Sequence, residues 1–197
     1  MKKWLIPIII LAVIAFGIYN WVVGFNNSAV EKQETAKTQW ANVESAYQRR
    51  ADLIPSLVNT VKGYASHEKE TLEGVIQARA NATKTTIDPT NVTPEQMAAF
   101  QEAQQGLSGA LSRLMVVAER YPDLKANQSF LELQSQLEGT ENRINVERNR
   151  YNELSRDYNV FIRKFPAKIL AGMLGFDPLV LFQAAEGSEK APEVDFN

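Results

Sequence analysis

A chain of 197 residues with a hydrophobic fraction of 45% can fill one continuous core, and 21 basic against 23 acidic side chains leave a net charge of −2. That balance supplies no field able to hold nucleic acid. The chain contains no cysteine, which excludes disulfides, thiolate metal sites, a cysteine nucleophile and a lipidated N-terminal cysteine.

Behind Lys2 and Lys3, residues 4–25 carry Asn20 as the only plainly polar side chain. At ~1.5 Å per residue this stretch reaches about 33 Å, enough to cross the ~30 Å hydrocarbon core. A cleaved signal peptide has a shorter apolar region, about 7 to 15 residues before a small-residue cleavage site. The length, together with Trp4, Tyr19 and Trp21 near the two ends, favours an uncleaved anchor, because amphipathic rings settle at membrane interfaces. Lys2, Lys3 and the terminal amine oppose Lys32 and Lys37. The positive-inside bias is slight, and it favours a cytoplasmic N-terminus with the body outside.

From Ala29 onward a heptad frame places Trp40, Tyr47, Ile54, Val61, Glu68 and Val75 at one seam position and Val43, Arg50, Leu57, Tyr64 and Thr71 at the other. This is the pattern of a first long helix running to about residue 80. Pro55 interrupts it, removing one backbone donor and crowding the carbonyl of Ala51. Residues 81–91, polar and holding Pro89, read as a loop. Thr93 then caps a second helix, with Pro94 at its first position and Gln96 completing a capping box. Phe100, Leu107, Leu114 and Tyr121 follow at seven-residue spacing up to Pro122. Asn127 caps a third helix, whose seam runs through Phe130, Leu137, Ile144, Tyr151, Tyr158 and Phe165, with Leu133, Thr140, Glu147, Leu154 and Phe161 between them, until Pro166 ends it.

The expected fold is therefore all-α: an N-terminal transmembrane helix (1–25), a long antiparallel three-to-four-helix bundle of up-down-up order (26–166), and a C-terminal apolar segment with a loose tail (167–197). In that order the second helix is too short to reach back past Leu53, so Trp40, Val43 and Tyr47 have no cover within the chain. Two placements of this stretch stand side by side. It is either a self-association surface that makes the protein a homo-oligomer, or it folds back on the bundle through a kink at Pro55. The same order sends the C-terminal segment to the end far from the bilayer, where its apolar run reads first as a cap on the bundle's distal end and, as the alternative, as a docking site with Phe176, Leu181 and Phe182 as the anchors for a partner.

Chemistry is sparse. His67, the only histidine, lacks the second histidine of a zinc-protease helix, and no phosphate loop, nucleophile elbow or calcium loop is present. Arg50, Glu68 and Glu147 at seam positions read as polar residues that set helix register rather than as a metal or catalytic site. No enzyme activity and no cofactor are expected.

The segments RRADLIPSLVNTVKGYASHEKETLEGVIQARA (residues 49–80) and AERYPDLKANQSFLELQSQLEGTENRINVERNRYNELSRDYNVFIRKFP (118–166), with Gly175 and Phe176 beyond them, resemble the LemA family of bacterial membrane proteins over nearly the whole chain. The resemblance implies one N-terminal span, a helical bundle, the bacterial cytoplasmic membrane and no established enzymatic activity. It also implies similarity to proteins of magnetosome membrane biogenesis and an association with membrane metallopeptidases, while topologies of both senses occur among members. Two functions follow as expectations. The first is a membrane-anchored scaffold that self-assembles and organises the bilayer or its proteins. The alternative is an adaptor that docks to a membrane peptidase or sensor through the C-terminal segment.

Overall fold

The computed structural model describes residues 2–183, with side chains from Leu5 onward. The side chains of Lys2, Lys3 and Trp4 and the expected loose tail over 186–197 lie outside the described residues.

Six helices make up the described chain: α1 (Lys2–Tyr64), α2 (Lys69–Lys84), α3 (Pro94–Ala118), α4 (Pro122–Lys125), α5 (Gln128–Arg163) and α6 (Ala167–Leu174). The apolar N-terminal stretch and the first leg of the bundle are one unbroken helix. Its 63 residues correspond to about 95 Å, of which roughly 58 Å project beyond Phe25. Every large apolar side chain between Leu5 and Tyr19 is more than half exposed, on a helix long and apolar enough to cross a membrane.

Pro55 does not break α1. The carbonyl of Ala51, which a residue other than proline at 55 would serve through its amide, accepts a hydrogen bond from Arg79 Nε at 2.7 Å. The guanidinium arrives from α2, supplying the donor the ring lacks and fixing α2 antiparallel to α1. The expected first helix instead ends at Tyr64 and reverses through 65–68, where the Glu68 amide donates to the Ala65 carbonyl at 3.1 Å. Ala65 is fully buried at this corner.

This corner adds a leg and changes every later direction. α2 runs back beside α1. The 85–93 loop follows, turning on Asp88, whose side chain accepts from the Thr90 amide and hydroxyl and from Asn91. These bonds hold the Asp88 carboxyl below its ordinary pKa. α3 then climbs parallel to α1, opened by the expected Thr93 and Gln96 capping box, until Tyr121 OH meets Glu68 at 3.0 Å. The single turn α4 crosses the distal end. There Asn127 caps α5 through the Phe130 amide at 3.0 Å and also donates to Tyr64 OH. α5 descends the full height of the bundle against α1, pairing Glu141 with Arg50, Glu147 with Gln39 and Phe161 with Phe25.

The antiparallel bundle thus has four legs, the upper number of the expected three to four, in up-down-up-down rather than up-down-up order. Phe165 lies at the membrane-proximal end, which corrects the expectation that the C-terminal segment starts far from the bilayer. Three apolar clusters fill the interior: a distal one around Leu57, Val61, Leu107, Leu114 and Phe130, a middle one around Trp40 and Phe100, and a proximal one around Phe25, Tyr158 and Ile162. Beyond Phe25, α1 presents Ala29 and Ala36 to the proximal cluster, both fully buried. Small residues there let α5 bring Tyr158 against the α1 backbone.

Candidate functional site

The middle of the bundle brings together the two residue sets expected at opposite ends of the molecule. Trp40, Val43 and Tyr47 are at most 7% exposed and form no bare stripe. Trp40 stacks on Phe182 at 5.4 Å between centroids and 16° between planes, with Tyr151 edge-on at 5.1 Å and Phe100 tilted at 5.9 Å. Tyr47 meets Phe100 edge-on at 5.2 Å. The indole N–H of Trp40 donates to the Ile87 carbonyl at 3.2 Å, so the largest side chain in the cluster has its polar atom satisfied. The cover that the three-legged arrangement could not supply comes from the loop at Ile87 and from the chain beyond α6, not from a kink at Pro55 or from a second copy.

That C-terminal strap, 175–183, turns out of α6 at Gly175 (φ 75°) and climbs α5 in extended form. Two asparagines clamp it. Asn159 Oδ1 accepts from the Leu179 amide and its Nδ2 donates to the Leu179 carbonyl, both at 2.8 Å. Asn152 does the same for Phe182 at 2.9 and 3.0 Å. The spacing is a geometric match. Seven residues of α-helix rise ~10.5 Å, and three residues of extended chain span about 10 Å. Each side-chain amide therefore pairs with one strap residue as a neighbouring β-strand would. Tyr151 OH adds a bond to the Val180 carbonyl at 3.0 Å, and the Arg148 guanidinium lies 4.5 Å from the Phe182 ring centroid. Of the expected docking anchors, Phe182 is therefore core, Leu181 is half-buried, and Phe176 packs edge-on to Phe25 at 6.0 Å at the proximal end. They are not a free docking face.

Above the aromatic cluster sits Arg50, 2% exposed. Its Nη1 donates to Glu141 at 2.7 Å and to Ser108 at 2.9 Å, and its Nη2 donates to Gln104 Oε1 at 2.6 Å. Gln104 in turn donates to the Ala82 carbonyl at the end of α2. One buried cation thereby reads the register of all four legs. The partners differ from the expected seam, since Glu68 and Glu147 do not reach Arg50. Glu68 sits in the distal turn, bonded to Tyr121 and Arg120, and Glu147 accepts from Gln39 at 2.7 Å. Among the described residues no group of three or more His, Asp and Glu side chains comes together.

Burial raises the phenol pKa values of Tyr47 and Tyr151. Burial and then the nearby Asp177 carboxylate push that of Tyr158 up to about 12. Among the described residues the hydroxyls of Tyr158 and Ser155 have no hydrogen-bond partner. The strap, the Asn152/Asn159 clamp and the Arg79 bridge are the elements that the sequence reading missed.

A membrane-crossing length of apolar helix that continues without a break into a four-legged bundle, itself fastened by its own C-terminal strap, defines a class: membrane-associated helical-bundle proteins. Comparison with known proteins places the chain within that class. It belongs to the LemA family, whose model matches residues 39–196. It is 25% identical to protein LemA of Metamycoplasma hominis, over 90% of this chain and 78% of that one. It is 27% identical to magnetosome protein MamQ 2 of Paramagnetospirillum magneticum, over 91% and 71%, and 26% identical to magnetosome protein MamQ of Magnetospirillum gryphiswaldense, over 90% and 71%.

Proposed function

We propose that the chain is a single-pass, non-enzymatic scaffold of the bacterial cytoplasmic membrane that self-assembles and organises the membrane or the proteins in it. The unbroken α1 carries this reading. A helix that leaves the bilayer and becomes the best-packed leg of the bundle transmits its tilt and rotation directly to the body, which a flexible linker would not. Self-assembly moves from the buried Trp40, Val43 and Tyr47 to the span itself. Gly17, Asn20 and Gly24 share one helical face, and nothing lies within 4 Å of a Cβ added at either glycine. Small and amide side chains in that arrangement let two membrane helices approach and hydrogen-bond. The relatives named as magnetosome proteins support a membrane-organising role. The slight lysine bias supports a bundle outside the cytoplasm.

Single-particle mass measurement of the full-length protein in mild detergent and in bicelles tests the reading. The expected particle is a multiple of the 22.1 kDa protomer, reduced toward one protomer by Gly17→Leu with Asn20→Leu and Gly24→Leu. A wild-type chain that is a monomer in both media defeats self-assembly.

A further inference from the structure

The foot of the bundle carries an apolar surface whose position identifies what covers it. α5 ends, and α6 turns away, level with the point where α1 leaves the membrane-crossing segment. Phe161 stacks on Phe25 at 5.3 Å and 10°, and a groove at the junction is lined by Trp21, Gly24, Phe25 and Ser28 from α1 together with Phe161, Pro166 and Ala167. α5 ends at Arg163, just past Phe161, and the chain leaves the helix at Lys164 in extended form. Trp21, one turn before Phe25, shares the groove with Pro166 and Ala167, which places the neighbouring Phe165 near the height of Trp21. That is the height at which an amphipathic ring marks the boundary of the hydrocarbon.

α6 is two-faced at this height. Ala167, Leu170 and Ala171 face the proximal cluster. On the other side Phe165, Ile169 and Met173 are 85%, 57% and 78% exposed, and Leu174 at the rim is 45% exposed. The first three are large apolar side chains exposed on the link after α5 and on α6, at the end of the bundle where α1 enters its apolar segment. Around them stand Arg163, Lys164 and Lys168, all exposed, while Asp177 is the one acidic residue between 163 and 183. An apolar strip bordered by cations is the composition of a helix that lies in the headgroup layer, and cations there are drawn to anionic lipid.

We infer that Phe165 and α6 form a second membrane contact, in which Phe165, Ile169 and Met173 enter the bilayer crossed by α1 while Lys164 and Lys168 bind anionic phospholipid headgroups. The occupant is the same bilayer, continuous with the lipid that surrounds the span. This inference rests on α1 crossing the membrane and is independent of self-assembly. Its consequence is a two-point attachment. α1 fixes the bundle's position, and α6 resists rocking about the exit of α1 and holds the strap's lower end against the membrane.

The cysteine-free sequence suits a direct test. Single cysteines replacing Phe165, Ile169 or Met173 in the full-length protein are labelled with an environment-sensitive fluorophore. The protein is reconstituted in vesicles of phosphatidylcholine and phosphatidylglycerol that carry a shallow acyl-chain nitroxide. Ile14→Cys in the span and Glu132→Cys at the distal end serve as references. All three sites are expected to be quenched about twofold or more above Glu132→Cys, and in a background of Lys164→Gln with Lys168→Gln the quenching no longer rises with phosphatidylglycerol content. Quenching at Ile14 without quenching at 169 and 173 overturns the inference and leaves the span standing. Failure at Ile14 as well removes the span, and the inference with it. Excimer formation between labels at 173 of two copies, without lipid quenching, assigns the surface to a second protomer and also overturns it. Quenching that rises with phosphatidylglycerol in the glutamine background refutes the assignment to the two lysines.

Discussion

Pro55 sits in the middle of a continuous helix because a side chain from another leg replaces the hydrogen bond it removes, and this yields a prediction with a defined coupling. Ala51 is 2% exposed, and its carbonyl accepts from Arg79 Nε at 2.7 Å. Arg79→Met keeps most of the aliphatic stem and deletes the donor. A buried acceptor left without its partner costs about 1–3 kcal/mol. Arg79 is half-exposed, so solvent screening argues for the lower half of that range, about 1–2 kcal/mol. In a Pro55→Ala background the new amide at 55 serves the Ala51 carbonyl, and the same Arg79→Met change then costs roughly 0.5 kcal/mol or less, which leaves a coupling of about 1 kcal/mol between residues that do not share an element. The assay is equilibrium urea unfolding of the full-length protein in mild detergent, followed by far-ultraviolet circular dichroism. With a slope of about 2 kcal/mol per molar, Arg79→Met shifts the midpoint down by about 0.5–1 M in the wild-type background. Equal shifts in both backgrounds, within about 0.3 kcal/mol, would show that Arg79 contributes only packing and would refute the argument.

Replacing Asn152 and Asn159 together by leucine leaves the backbone groups of Leu179 and Phe182 unpaired. Amide hydrogen exchange at those two residues should accelerate by at least about tenfold while exchange in α3 stays unchanged. Glu141→Gln is expected to cost less than about 1 kcal/mol, because Glu141 is 46% exposed. Arg50→Ala should cost about 3 kcal/mol, since it strips Gln104 and Ser108 of a shared donor and opens a cavity; a thermal melt of each variant separates the two. The raised pKa of Tyr158, about 12 against an ordinary phenol near 10, favours the protonated form in the fold. Its contribution is whole below pH ~10 and is lost as pH rises through the interval to about 12. The urea midpoint should therefore fall across that interval, and Tyr158→Phe, which also deletes a buried hydroxyl that has no partner among the described residues, should reduce the fall without loss of stability at neutral pH.

Local chemistry made much of the fold legible. The apolar run, the Thr93 and Gln96 box, the Asn127 cap and the seam from Phe130 through Tyr158 are set by contacts within a few residues or by helical periodicity. Each stands where the pattern predicts. The corner at 65–68 was hidden because it holds neither proline nor glycine, and Val61 and Val75 carry the heptad through it. The signal was Glu68, a charge in an apolar seam, which is a residue at the end of a helix and not a buried one. Pro55 misled in the opposite direction. Its penalty depends on a donor 24 residues later, which no local rule contains. The site was less legible than the fold for the same reason. Asn152 and Asn159 are unremarkable until an extended chain of matching pitch lies beside them, and that chain has no periodicity of its own.

The corner also shows why a global arrangement overrides a helix that the sequence pattern would extend. Straightening 65–68 would recover a few backbone hydrogen bonds, each worth about 0.5–1.5 kcal/mol net. It would also restore an odd number of legs, sending α5 away from the membrane and removing Tyr151 and Phe182 from Trp40. Burial of a large apolar side chain contributes about 1.5–3 kcal/mol. Trp40, Tyr151 and Phe182 bury one another in the middle cluster, so the loss exceeds the gain. Parity of the legs is thus selected by the aromatic core. The same parity brings the last helix back to the lipid surface from which the first one rises, so a single break near the distal end determines what the protein presents to the membrane at its foot.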